Sequence, residues 1–180
     1  MDLQSTLGLS GSTWIDQSSY NAVTQTASNI LGNPSINSWR VATGKYTNSL
    51  PTEPATSMTC YNGTVIKGEF ADVTYPYYIS PTSISVTREF TSSSNAISVL
   101  ARNSLYTFSS NNWYQIATIP LNVSGQGNTP QTVSTMSDIY GLYYNTFRYV
   151  ITQSFTSTML KKVSITGYRP TDSSGTISYN

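Results

Sequence analysis

The sequence has no histidine and one cysteine in 180 residues. Without imidazole there is no Ser-His-Asp or Cys-His catalysis and no His-ligated metal. A lone cysteine makes no internal disulfide and no cysteine-based zinc site, so Cys60, with no cation near it in the chain, reads as a small buried side chain. Charge is scarce as well. Asp, Glu, Lys and Arg make up 9% of the chain and the formal net charge is +1, against a usual charged fraction of about 25%. A near-neutral chain does not bind nucleic acid by counterion release. No apolar run approaches the ~20 residues of a membrane-spanning helix. Met1 to Ser10 carry neither a cationic start nor an apolar stretch, so no signal peptide is expected there.

In place of charge the chain carries 29 Ser, 26 Thr, 14 Asn and 14 Tyr. Its length suits one domain with a real core. β-branched residues and Tyr outnumber good helix formers, which favours strands. Glu69 to Tyr75 alternates, with Ala71, Val73 and Tyr75 on one face, and Pro76 is expected to end that segment. Ser83 to Arg88, Ile97 to Ala101, Trp113 to Ile119 and Val163 to Gly167 alternate too, and Phe147 to Thr152 is apolar enough for a central strand buried on both faces. Polar clusters at Thr91 to Asn95, Ser109 to Asn112 and Ser124 to Pro130 read as turns. Val23 to Leu31 reads as a strand or an irregular wrap, and the region of Pro51 and Pro54 as a loop. Short strands at this spacing mean an all-β antiparallel sandwich or barrel. The division expected is an N-terminal arm or first edge segment over residues 1–17, a single β-sandwich domain over 18–170, and a tail over 171–180.

Read in order, several segments resemble one family. Asn33-Pro-Ser-Ile-Asn-Ser-Trp39 is similar to its segment in which a Trp plugs one end of the barrel. Tyr46-Thr47 follows, and Gly63-Thr-Val-Ile-Lys-Gly-Glu-Phe70 runs on to Ala71-Asp-Val-Thr-Tyr-Pro76. Ile97-Ser-Val-Leu-Ala-Arg-Asn103 before Trp113, then Phe147-Arg-Tyr-Val-Ile151 and Val163-Ser-Ile-Thr-Gly-Tyr168, complete the set. The chain resembles the discoidin-like, galactose-binding-like modules, in the form found in structural proteins of large DNA viruses. The resemblance implies a jelly-roll β-sandwich whose loops at one end can hold sugars or other partners. It implies no catalysis, and the fold does not fix function.

Carboxylates offer little to chemistry. Glycoside hydrolysis needs two facing each other across a sugar, whereas Glu69 and Asp72, three apart on a strand, point to opposite faces. Asn33 to Asn48 contains no Asp or Glu, so no metal or other cofactor is assigned. Gly125-Gln-Gly127 opens no helix and reads as a turn rather than a phosphate cradle. Arg148, inside a strand, is expected to pair with an acid.

Aromatic residues beside polar ones are the remaining candidates, since sugars and protein partners both use amphipathic rings at a partly wet surface. A ligand site at a loop end would draw on Trp39, Arg40, Tyr46, Arg102, Asn103 and Tyr106. A protein interface would use Tyr140, Tyr143 and Tyr144. Trp39 and Trp113 also fit as core plugs. The function expected from the resemblance is a non-catalytic structural component of a virus particle, located in the virion and contacting other virion proteins or copies of itself. The alternative is a lectin-like module for glycan attachment. Neither reading involves nucleic acid or membrane insertion.

Overall fold

The computed structural model describes residues 14–19, 27–31, 39–42, 44–52, 56–88, 95–103, 113–120, 129–136, 142–154 and 159–168. Twelve strands lie among them: β1 (Trp14–Gln17), β2 (Trp39–Arg40), β3 (Tyr46–Thr47), β4 (Leu50–Pro51), β5 (Ser57–Thr59), β6 (Val65–Lys67), β7 (Glu69–Arg88), β8 (Asn95–Arg102), β9 (Tyr114–Ile119), β10 (Pro130–Ser134), β11 (Tyr144–Ser154) and β12 (Met159–Tyr168). Every named strand pair is antiparallel.

The long strand β7 organises the sandwich. Its first half joins a front sheet in the order β1-β7-β11-β8-β9, and its second half joins a back sheet in the order β2-β12-β7-β10. The chain crosses between sheets near Ile79 and Ser80, which pair with Tyr144 and Tyr168 respectively. Pro76 was expected to end the segment, but the strand runs through it to Arg88. The register explains how. β11 jumps from Thr146↔Thr74 to Tyr144↔Ile79, leaving Pro76 in a bulge where no ladder N–H is required.

The register defines two ends. At the crossing end Thr74 meets Thr146 and Thr146 meets Arg102, while Ser80 meets Tyr168. At the open end Glu69 meets Ile151 in the front sheet, and Arg88 meets Leu160, itself opposite Trp39, in the back sheet.

The main core fills the space between the sheets. Ala71, Val73, Phe147, Tyr149, Ile97 and Val99 come from the front sheet and Ile84, Val86, Val163 and Ile165 from the back. A second cluster lies outside the front sheet, where Met58, Cys60 and Ile66 from the β5–β6 hairpin cover Leu100, Trp113 and Val150. Strand β11 is therefore central and covered on both faces, as its sequence indicates. Burial pushes the Cys60 thiol up, and the residue is a core side chain.

Three further segments differ from expectation. Ala27–Leu31 is a 3-10 helix, with Ala27 and Ile30 buried, a spacing of three that suits three residues per turn. Leu50–Pro51 pairs with Tyr46–Thr47 through a turn in which Asn48 and Ser49 both have positive φ, the twist a two-residue hairpin needs. Pro130–Ser134 is a strand on the edge of the back sheet, its Pro at the first position, where a missing donor is tolerated.

Candidate functional site

The candidate ligand residues fall at opposite ends of the sandwich. Trp39, Arg40 and Tyr46 lie at the open end. Trp39 is fully buried and its indole N–H donates to the Ser19 carbonyl at 2.9 Å, so it presents no ring face to a ligand. Arg40 is half-buried in β2. The Tyr46 hydroxyl donates to the Ile151 carbonyl at 2.5 Å and accepts from Glu69 N–H at 3.1 Å. It ties the β3–β4 hairpin to the front sheet, and burial pushes it above the ordinary tyrosine range. Trp39 and Tyr46 are thus structural residues, a correction to their reading as ligand contacts.

Arg102, Asn103, Tyr143 and Tyr144 lie together at the crossing end. Tyr144 is buried in the core, which corrects its reading as an exposed interface residue. Tyr143 is 38% exposed, and its carbonyl accepts from the Asn103 side-chain amide at 3.4 Å. Tyr106 and Tyr140, the Gly125-Gln-Gly127 stretch, residues 1–13 and the tail over 171–180 lie outside the described residues.

The structure adds a residue that the sequence reading missed. Tyr61 is 72% exposed, and its ring stacks on Tyr114 with centroids 5.2 Å apart and planes 18° apart. Tyr114 in turn packs on Tyr144 at 5.6 Å. The outermost ring is thereby fixed by a column of aromatics that ends in the core. The hairpin places it there: Tyr61 N–H donates to the Trp113 carbonyl at 2.8 Å, and Cys60 bridges Trp113. The usable signal was Asn62-Gly63, a strong hairpin-turn dipeptide that puts the residue before it at a tip. Gly63 has φ +83°.

A ladder of rings and cations stands beside the stack. The Arg148 guanidinium lies 3.6 Å from the Phe70 ring centroid and 4.4 Å from that of Trp113, and the Arg102 guanidinium lies 4.7 Å from Trp113. Arg148 pairs with Asp72, as its position in a strand predicts. Glu69 accepts from Ser18 Oγ and faces Lys45 at 3.5 Å, on the opposite face of β7 from Asp72. The two carboxylates do not face one another, and among the described residues no group of three or more His, Cys, Asp or Glu is placed to hold a metal.

What the crossing end can do chemically is bind. A rigid exposed ring offers an apolar face, and the Asn103 amide and Arg102 guanidinium belong to the same end.

No family model matches the chain, and no curated protein matches it. Solved structures do. The chain is similar to the C-terminal domain of a chitobiase from Bacteroides fragilis, with TM-score 0.60 and 10% identity over 90% of this chain and 97% of that one. It is similar to chitosan-binding module 2, in complex with chitotriose, from a chitosanase/glucanase of Paenibacillus sp. IK-5, with TM-score 0.55 and 13% identity over 88% and 99%. It is also similar to the family 32 carbohydrate-binding module of C. perfringens NanJ in complex with galactose, with TM-score 0.55 and 11% identity over 87% and 95%. The fold is the antiparallel galactose-binding-like β-sandwich. Nothing in these comparisons points to a virus particle.

Proposed function

We propose that the chain is a non-catalytic carbohydrate-binding module, the lectin-like alternative rather than the virion component. The observation that carries this is the Tyr61–Tyr114 stack at the crossing end. A sugar ring presents a face of C–H groups that packs on an aromatic face, and its hydroxyls are oriented by nearby polar groups. Tyr61 supplies the face, held by Tyr114 so that little freedom is lost on binding. Asn103 and Arg102 supply the polar edge. Structures of the same fold described with bound chitotriose and galactose support the reading.

The test is a glycan array with wild-type protein and Tyr61→Ala, each checked for fold by circular dichroism. Binding to a defined glycan class by the wild type, lost in Tyr61→Ala, is expected. A folded wild type that binds no glycan contradicts the proposal.

A further inference from the structure

We infer that Arg102 makes the crossing end selective for anionic glycans, those bearing a carboxylate or sulfate group; this rests on the carbohydrate-binding reading above. Two other strand arginines, Arg88 and Arg148, spend their guanidinium groups inside the protein. Arg88 donates to the Pro120 carbonyl at 2.8 Å and to Gln131 Oε1. Arg148 donates to both oxygens of Asp72. Arg102 differs, since its Nε is buried with no hydrogen-bond partner, and its guanidinium is held against the Trp113 ring.

The local charge is also unmatched. Arg102 and Arg148 share one indole, and the carboxylate among them, Asp72, has both oxygens taken by Arg148. Asp16 is exposed on β1, opposite Asp72, and β1 stands three strands across the sheet from β8. At ~4.8 Å per strand that is about 14 Å, beyond the screening length of physiological salt. Among the described residues, one positive charge is left at the crossing end.

A guanidinium presents a planar fork of N–H donors that fits a carboxylate or sulfate, in Arg102 through its Nη groups since Nε is buried, and charge-assisted bonds of this kind are stronger than neutral ones. Stacking on Trp113 fixes the fork before the ligand arrives. The same residue's carbonyl accepts from Tyr61 N–H. Trp113 therefore joins the ring that would carry the sugar to the cation that would take its acid group.

The test is calorimetry with three oligosaccharides of one galactan backbone: neutral, uronic-acid and sulfated. Each is titrated at low and high salt into wild type, Arg102→Gln, Arg102→Lys and Tyr61→Ala. The acidic oligomers are expected to bind the wild type about ten- to a hundredfold more tightly than the neutral one at low salt. The preference should vanish in Arg102→Gln, the acidic oligomers falling to the affinity of the neutral one, and survive only in part in Arg102→Lys, which keeps the charge and loses the fork. The carboxylate and sulfate arms show which group the site takes. Equal binding of neutral and acidic oligomers, or a preference that persists in Arg102→Gln, overturns the inference while neutral binding lost in Tyr61→Ala leaves the module reading standing. If no oligomer binds the folded wild type, both fall.

Discussion

Arg148 and Asp72 meet side-on across β11 and β7, with Nε 2.6 Å from Oδ1 and Nη2 2.7 Å from Oδ2. The Asp72 carboxylate is nearly fully buried. Burial pushes its pKa up, and the two Arg148 bonds pull it back only in part. Desolvation thus outweighs the attraction, and the pair adds little net stability. Asp72→Leu strands a guanidinium and should cost about 3–5 kcal/mol in urea unfolding, whereas Asp72→Leu with Arg148→Met should lie within about 1 kcal/mol of wild type. A double variant as unstable as the single one would contradict this.

The Tyr149 hydroxyl is buried with no hydrogen-bond partner. Leaving a buried donor unmade costs about 1–3 kcal/mol. Tyr149→Phe removes the hydroxyl and keeps the ring, so thermal unfolding should occur at the same temperature or higher. A clear drop in Tm would show that the hydroxyl is satisfied in solution.

Burial raises both Tyr149 and Tyr46 above the ordinary tyrosine value near 10. The folded chain keeps both protons at a pH where the unfolded chain loses them. Their contribution to stability is therefore full below about pH 10 and is lost as pH rises toward the folded values, at about 1.4 kcal/mol per pH unit for each. Tyrosinate absorbance followed alongside circular dichroism should show these two groups titrating only with unfolding. Titration of every tyrosine in a folded chain would refute it.

Gly68 stands where a side chain has no room. A Cβ there would lie 2.1 Å from the Ile151 carbonyl oxygen, a backbone atom of the central strand. Gly68→Ala should cost about 2–3 kcal/mol by forcing β7 and β11 apart. Gly63→Ala, whose Cβ meets open space, should cost less. Equal losses in denaturant midpoints would show that backbone conformation, not the close approach, dominates.

Much of the fold was legible because alternation marks burial directly. Ala71, Val73 and Ile97, Val99 declared their inner face, and Phe147 to Thr152 declared a strand buried on both sides. Pro76 misled because a proline ends a regular ladder but not one that bulges at that residue. Strand β10 was missed because Pro130-Gln-Thr-Val-Ser134 is polar along an edge and pairs on one side. The candidate site was half legible. Arg102, Asn103 and Tyr143 share one end, but Trp39, Arg40 and Tyr46 belong to the other, because which end a residue occupies depends on strand direction across long-range pairings. Tyr61 escaped notice because alternation marks burial and says nothing of a ring at a hairpin tip, where the signal is the Asn62-Gly63 turn.

The central claim is that a glycan binds at the crossing end, on Tyr61. The direct test is a two-dimensional amide spectrum of the ¹⁵N-labelled protein, titrated with the glycan that binds best on the array. The amides of Tyr61, Asn62, Arg102, Asn103, Trp113 and Tyr114 should shift together, with those of Trp39, Arg40 and Tyr46 unmoved. Shifts centred on Arg40 and Tyr46 would place the site at the open end and contradict the account.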